Sequence, residues 1–208
     1  MSNILITGAN GQLGNCLRDL AHNDDRHVFF YTDVDELDIT SIEQVEDYVS
    51  KHYIEVIINA AGYTAVDKAE SDSERCFLIN RDATRNLALV TKRHDIFLVH
   101  ISTDYVFDGN SDFPYKPSDP VNPQSVYGRS KVEGEKAVFE TGCRAVIIRT
   151  SWLYSEFGNN FVKTMLRLGR GHDEIRVVDD QKGGPTYAGD LAELILTIVE
   201  RRDFIQDC

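Results

Sequence analysis

The chain has 208 residues, 42% of them hydrophobic, enough to bury one substantial core as a single domain or as one domain with a small appended lobe, and this argues against a disordered chain. Its 22 basic and 34 acidic residues give a formal charge of −12. That charge repels phosphate backbones and no basic stripe interrupts it, so no nucleic-acid partner is expected.

In chain order, the β-branched run Asn3–Thr7 reads as a buried strand that leads directly into Gly8, Gly11 and Gly14, spaced GxxGxxG, before an apolar helix. In such a loop the first glycine permits a tight turn, the second lets the backbone approach a pyrophosphate, and the third lets the helix pack on the strand. The helix N-terminus then faces the anion. Val28–Thr32 reads as the second strand, closed by Asp33 at the distance where an acidic residue reaches adenosine ribose hydroxyls, which favours NADH. The alternative, that Asp33, Asp35, Glu36 and Asp38 form a solvated acidic loop, stands about level with it. A helix is expected over Ile42–His52 and a third strand over Val56–Asn59. That strand ends in Ala60-Ala61-Gly62, small residues that would let a cofactor lie close over the sheet edge, or that simply pack a strand-to-loop turn.

Helical spacing then runs from Ser73 to His94, and Phe97–Ser102 reads as the fourth strand. Ser102-Thr103 offers a hydroxyl to a substrate carbonyl, or equally a cap to the following turn, and His100 is expected as a satisfied core residue. Asp112–Gln124 holds four prolines and is read as an irregular loop over the C-terminal edge of the sheet. A helix follows over Ser130–Phe139 and a strand over Ala145–Thr150. Beyond Gly158–Asn160 the pattern gives a helix near Phe161–Leu168, a strand around Ile175–Val178 and a helix over Asp190–Arg201. Strand and helix in alternation imply a doubly wound parallel sheet with right-handed crossovers.

Tyr127 and Lys131, four apart in YGRSK, share one face of a helix. A phenol is a poor acid–base catalyst at neutral pH, and a neighbouring ammonium, together with a positive nicotinamide ring, stabilises its anion and brings its pKa down. The pair alone would be a surface contact; its coupling to Thr103 makes it a candidate carbonyl-reducing set. Cys16, Cys76, Cys143 and Cys208 are scattered with no CxxC pair, and no HxxxH, HExxH or Ca²⁺-loop spacing occurs, so neither a metal site nor a disulfide framework is expected. The start of the chain has no basic region, long apolar span or cleavage site, from which a soluble, cytoplasmic protein without a membrane partner is expected.

The runs TGANGQLG, NAAGYTAVDKAE, LINRDATRNLA, HISTDYVFDG, VYGRSKVEGEKAV, IIRTSWLYSEFGNNFVKTML and DDQKGGPTYAGDLA together resemble the extended short-chain dehydrogenase/reductase superfamily. Within it they resemble the dTDP-4-dehydrorhamnose reductase family, over nearly the whole chain. TAVDKAE, RTSWLY and GNNF carry more specificity than the glycines. The resemblance implies a Rossmann-type sheet over 1–150 and, over 151–208, the start of a nucleotide-sugar substrate lobe. Family chains ordinarily continue past the helix Asp190–Arg201, so this lobe is expected to be incomplete and the cofactor half more intact. It implies NADPH- or NADH-dependent reduction of the C4 ketone of dTDP-4-dehydro-L-rhamnose, with Thr103, Tyr127 and Lys131 as the catalytic triad and Asn80 as the superfamily's structural asparagine. The implied cofactor residues are Gly8, Asn10, Gly11, Gln12, Leu13, Gly14, Asp33, Asp38, Ile39, Ala60, Ala61 and Gly62, with Tyr127 and Lys131. Thr64, Val66, Thr103, Asp104, Trp152 and Asn160 are implied on the substrate side, with core packing an alternative for Trp152. A homodimer is allowed. The rival readings are a noncatalytic dinucleotide-binding subunit, like the regulatory β subunit of methionine adenosyltransferase, and a nucleotide-sugar epimerase or dehydratase. A binding module has no use for a tuned acid, and TAVDKAE and RTSWLY count against the epimerase or dehydratase.

Overall fold

A computed structural model describes residues 1–22 and 24–205; the expectation for Cys208 lies outside the described residues. Five strands, β1 (Ser2–Thr7), β2 (His27–Thr32), β3 (Val56–Asn59), β4 (Phe97–Thr103) and β5 (Ala145–Thr150), form a parallel sheet in the order β2-β1-β3-β4-β5. Every pairing is parallel, and Thr7 stands opposite both Thr32 and Asn59. Continuous apolar runs such as Ile4-Leu5-Ile6 and Val56-Ile57-Ile58 are fully buried because helices cover both faces. Each such side chain removed from water contributes roughly 1.5–3 kcal/mol.

On one face α1 (Gln12–Ala21) and α8 (Ala188–Glu200) pack Leu13, Leu17, Leu191 and Ile195 against Ile4, Ile6 and Ile58. On the other, α2 (Ile42–His52) and α5 (Ala83–His94) pack Val45, Val49, Leu87 and Val90 against Leu5, Ile57 and Leu98. The chain leaves β1 for β2 on one side and returns to β3 on the other, which opens a crevice at the C-terminal ends of these strands.

The doubly wound α/β sheet expected from the alternation is the fold observed. Three elements differ from expectation. The helix Ser73–His94 is α4 (Ser73–Phe77), a π-helical turn at Leu78–Asp82, and α5. The helix expected from Ser130 begins four residues earlier: α6 (Val126–Thr141) starts at a Ser125 cap whose hydroxyl accepts from the Gly128 N–H at 3.0 Å, and it stops at Gly142 with φ +58°. Tyr127 therefore sits in the first turn of α6. Ile175–Val178 forms no strand, and Val177 and Val178 are exposed. Instead β6 (Leu153–Tyr154) pairs with β7 (Thr186–Tyr187), and α7 (Phe161–Gly169) stands beside them. The short α3 (Val66–Ala69) follows β3.

Candidate active site

The crevice is a cleft of about 960 Å³. Its floor begins at the turn after β1. Gly8 has φ +67°, and a Cβ there would lie 2.6 Å from the Ala61 backbone, so β1 and β3 approach as closely as they do only with glycine. Gly14 allows α1 to lie against Ala9, where a Cβ would meet backbone at 2.5 Å. Gly11, which precedes α1, offers no capping side chain, and no acidic residue stands in the first turn, so this helix start suits an anion. Asn15, which the sequence reading did not single out, donates its amide to the Asn10 and Gly11 carbonyls at 3.0 and 2.8 Å and holds the loop open. Asp33 accepts from the N–H groups of Asn10 and Val34 at 3.1 and 2.9 Å, and its neighbours Asp38, Ile39 and Thr40 line the same end of the cleft. A glycine floor closed by backbone contact, an uncapped helix start and an acidic strand end together fit a dinucleotide.

At the other end of the cleft lie Thr103, Asp104, Tyr127 and Lys131. The Thr103 hydroxyl donates to Asp104 at 3.1 Å and accepts from the Tyr105 N–H at 3.2 Å, so it both caps the turn and faces the cleft. Ser102 also lines the cleft, but its hydroxyl is engaged, donating to Glu135 at 2.5 Å. Burial pushes the Tyr127 phenol up to about 12, with the Thr103 hydroxyl opposing. Burial likewise drives Lys131 down to about 8, opposed by the Glu135 carboxylate, and the ammonium donates to the Ile101 carbonyl at 2.6 Å. Desolvation of the phenol thus outweighs the lowering that the sequence suggests from Lys131 together with a nicotinamide ring, and the ammonium is hydrogen-bonded to a backbone carbonyl. His100 is likewise only half satisfied. One ring nitrogen meets the Asn59 amide at 3.0 Å, the other finds no partner among the described residues, and burial holds the ring neutral, with Lys131 adding to the effect.

Thr64, Val66 and Trp152 line the wall between these ends. Trp152 is 39% exposed and has φ +47°, so core packing does not account for it; its ring meets Phe161 at 5.9 Å. Two expected residues fall elsewhere. Asn10 takes part through its backbone, its N–H to Asp33 and its carbonyl to Asn15, and Asn160 caps α7 while its amide donates to Gln12 at 2.9 Å and to the Ser155 carbonyl at 2.8 Å. Asn159 lines the cleft in its place. The cleft also contains Arg75 of α4, which no local pattern flagged. Asn15 had a signal, since an asparagine one turn into the helix after the glycines can reach their carbonyls. Asn80, expected as structural, donates to the Tyr63 carbonyl at 3.1 Å and to Ser130 at 2.9 Å and accepts from the Tyr63 N–H at 2.9 Å, so it fixes the chain after β3 to α6.

The family model described as the RmlD substrate binding domain matches residues 1–206. The chain belongs to the RmlD family. Among curated relatives, the dTDP-4-dehydrorhamnose reductase of Aggregatibacter actinomycetemcomitans is 45% identical over 97% of this chain and 68% of its own length. That of Sinorhizobium fredii is 41% identical over 95% of this chain. The chain spans about two thirds of the length of these RmlD relatives, 68% and 66%. Among solved structures, the dTDP-4-dehydrorhamnose reductase of Bacillus anthracis in complex with NADP superposes with a TM-score of 0.93 at 42% identity, over 97% of this chain and 71% of that one.

Proposed function

We propose that this chain carries the catalytic and cofactor-binding half of an NAD(P)H-dependent dTDP-4-dehydrorhamnose reductase, which reduces the C4 ketone of dTDP-4-dehydro-L-rhamnose to dTDP-L-rhamnose. The observation that carries the proposal is the meeting of Thr103, Tyr127 and Lys131 at one end of a cleft whose other end holds the glycine turn and Asp33. The names of the relatives and the NADP in the Bacillus anthracis structure support it.

Gly8, Gly11, Gln12, Leu13 and Gly14 would cradle the pyrophosphate, Asp33, Asp38 and Ile39 would hold the adenosine, and Ala60, Ala61 and Gly62 would lie under the nicotinamide half. A bound nicotinamide dinucleotide supplies the hydride. Thr103 orients and polarises the ketone oxygen through its hydroxyl. Tyr127, with its phenol near 12, is fully protonated at neutral pH and so stands ready to deliver its proton to that oxygen. The phenolate left behind is costly in a buried place, and the nearby Lys131 ammonium offsets that cost while holding the nicotinamide ribose. Trp152, Thr64, Val66 and Asp104 would line the sugar side.

We further propose that residues 1–150 form the dinucleotide-binding unit and that 151–208 begin the nucleotide-sugar side, although α8 packs within the sheet's own core. The proposal includes a cytoplasmic setting and allows a homodimer; no helix among the described residues is long and apolar enough to cross a membrane.

Turnover followed by nicotinamide absorbance with dTDP-4-dehydro-L-rhamnose tests the reading. Tyr127→Phe keeps the ring but removes the proton, and turnover should fall by at least about a hundredfold while cofactor affinity barely changes. Equal activity in the variant would sink the assignment of Tyr127, and cofactor binding without turnover in the unaltered chain would favour a noncatalytic dinucleotide-binding subunit.

A further inference from the structure

Behind the catalytic layer lies an ion pair that the mechanism above does not use. Glu135 on α6 is 3% exposed. One of its oxygens accepts from the Ser102 hydroxyl at 2.5 Å and from Arg149 Nε at 3.0 Å, and the other accepts from Arg149 Nη2 at 2.7 Å. Arg149, on the edge strand β5, also donates to the Pro117 carbonyl at 3.1 Å, and its guanidinium lies 5.1 Å from the centre of the Phe107 ring. One carboxylate thus ties together α6, β4, β5 and the proline-rich loop. Such a pair returns little net stability, because desolvating two charges offsets most of their attraction, so stability is a weak reason for it. Its position is more informative. Glu135 stands one helical turn beyond Lys131 on the same face, and Ser102 immediately precedes Thr103.

We propose that Glu135, held by Arg149 and Ser102, is a positioning residue of this site, the counter-charge that keeps the buried Lys131 ammonium charged and the anchor that fixes Thr103 at the end of β4; this rests on the reductase reading above. Burial drives Lys131 down, and the Glu135 carboxylate is the largest influence in the opposite direction. The other groups near Lys131 are Cys76 of α4, His100 of β4, which burial holds neutral, and Tyr127 of α6, which is protonated at neutral pH. Asp104, beyond Tyr127, is partly desolvated and its carboxyl is raised. Arg149 binds both oxygens of Glu135 and so orients the carboxylate, and it is not among the groups that act on Lys131.

The test is a titration of the chain without cofactor, labelled with ¹³Cε-lysine and followed by NMR, the Lys131 signal being the one lost in Lys131→Met. The unaltered chain should show a step near 8. Glu135→Gln keeps the shape but removes the charge, and the step should move about one pH unit lower. Arg149→Met leaves Glu135 charged, so the step should stay at or above its original position. The double variant Glu135→Gln/Arg149→Met removes both members of the ion pair, so it strands neither the carboxylate nor the guanidinium and is the safer one to fold; its step should fall as in Glu135→Gln. A step unmoved in Glu135→Gln and in the double variant overturns the proposal, as does an equal fall in Arg149→Met, which would mark a general loosening. Turnover is not read in this experiment, so failure of the reductase reading shows separately, in the absorbance assay.

Discussion

Lys131 is a charge held where water does not reach, and this has a consequence for stability as well as for chemistry. Below about pH 8 the lysine is protonated in both the folded and the unfolded chain, and its burial costs the fold a constant amount. Between about 8 and the ordinary lysine value of 10.5, the folded chain has released a proton that the unfolded chain still holds, so stability rises with pH. The slope is about 1.4 kcal/mol per pH unit. Tyr127 acts in the opposite sense above about pH 10, where the unfolded phenol ionises and the folded one, raised to about 12, does not. Urea unfolding of the unaltered chain and of Lys131→Met at pH 8 and pH 9.5 should therefore give a stability difference that moves toward the unaltered chain as pH rises. A difference constant with pH would mean that Lys131 titrates normally. That Gly8, Asp33, Thr103, Tyr127 and Lys131 would lie along one cleft could be anticipated from their runs, and that Trp152 would join them from the family resemblance alone. Arg75 and the Glu135–Arg149 pair could not be, since they depend on segments that meet only in three dimensions. Asn160, which the resemblance implies on the substrate side, caps α7 and donates to Gln12 of the cleft, a placement its run does not reveal.

At the scale of elements, the strands and most helices followed from apolar spacing, and the exceptions arise where spacing is silent about partners. Ile175–Val178 has strand composition but forms no strand, since composition alone does not make one. The helix from Ser73 to His94 has unbroken periodicity, yet it carries a π-helical turn at Leu78–Asp82, with Asn80 in the middle of that turn. Asn80 reaches Tyr63 and Ser130, while its carbonyl accepts from the Thr84 hydroxyl at 2.9 Å. Across from it, Gly134 of α6 brings the two helices together: a Cβ there would come 2.2 Å from the Asn80 carbonyl oxygen. Gly134→Ala should accordingly force α6 away from the π-helical turn at a cost of about 1–3 kcal/mol, despite the better helix propensity of alanine. Denaturant titration measures this, and a stabilised variant would show that the two helices separate freely. Because α6 carries Tyr127 and Lys131, the same variant should lose turnover out of proportion to its loss of cofactor affinity.

At the scale of the whole molecule, the site exists only because the sheet reverses its direction of winding between β1 and β3. The glycine turn, Asp33, the Ala60-Ala61-Gly62 step and the end of β4 come from four distant parts of the sequence and meet at that crevice. A ligand that spans the crevice touches every part of the folded sheet at once and nothing comparable in the unfolded chain, so its binding energy becomes folding energy. At a hundred times its dissociation constant the gain is about 2.7 kcal/mol. For a chain of this size each kcal/mol raises the melting temperature by roughly 2–4 °C, so saturating NADH or NADPH should raise it by about 5–10 °C. The two cofactors differ at the 2′ position, which Asp33 at the end of β2 is placed to meet. Asp33→Ala removes a partner of the free 2′-hydroxyl and also a charge that repels a 2′-phosphate, so it should reduce the rise given by NADH more than that given by NADPH. Thermal unfolding of both chains with each cofactor decides the matter. An equal loss for the two would make Asp33 a support for the Asn10 turn alone, and no rise with either would show that the crevice does not hold a dinucleotide.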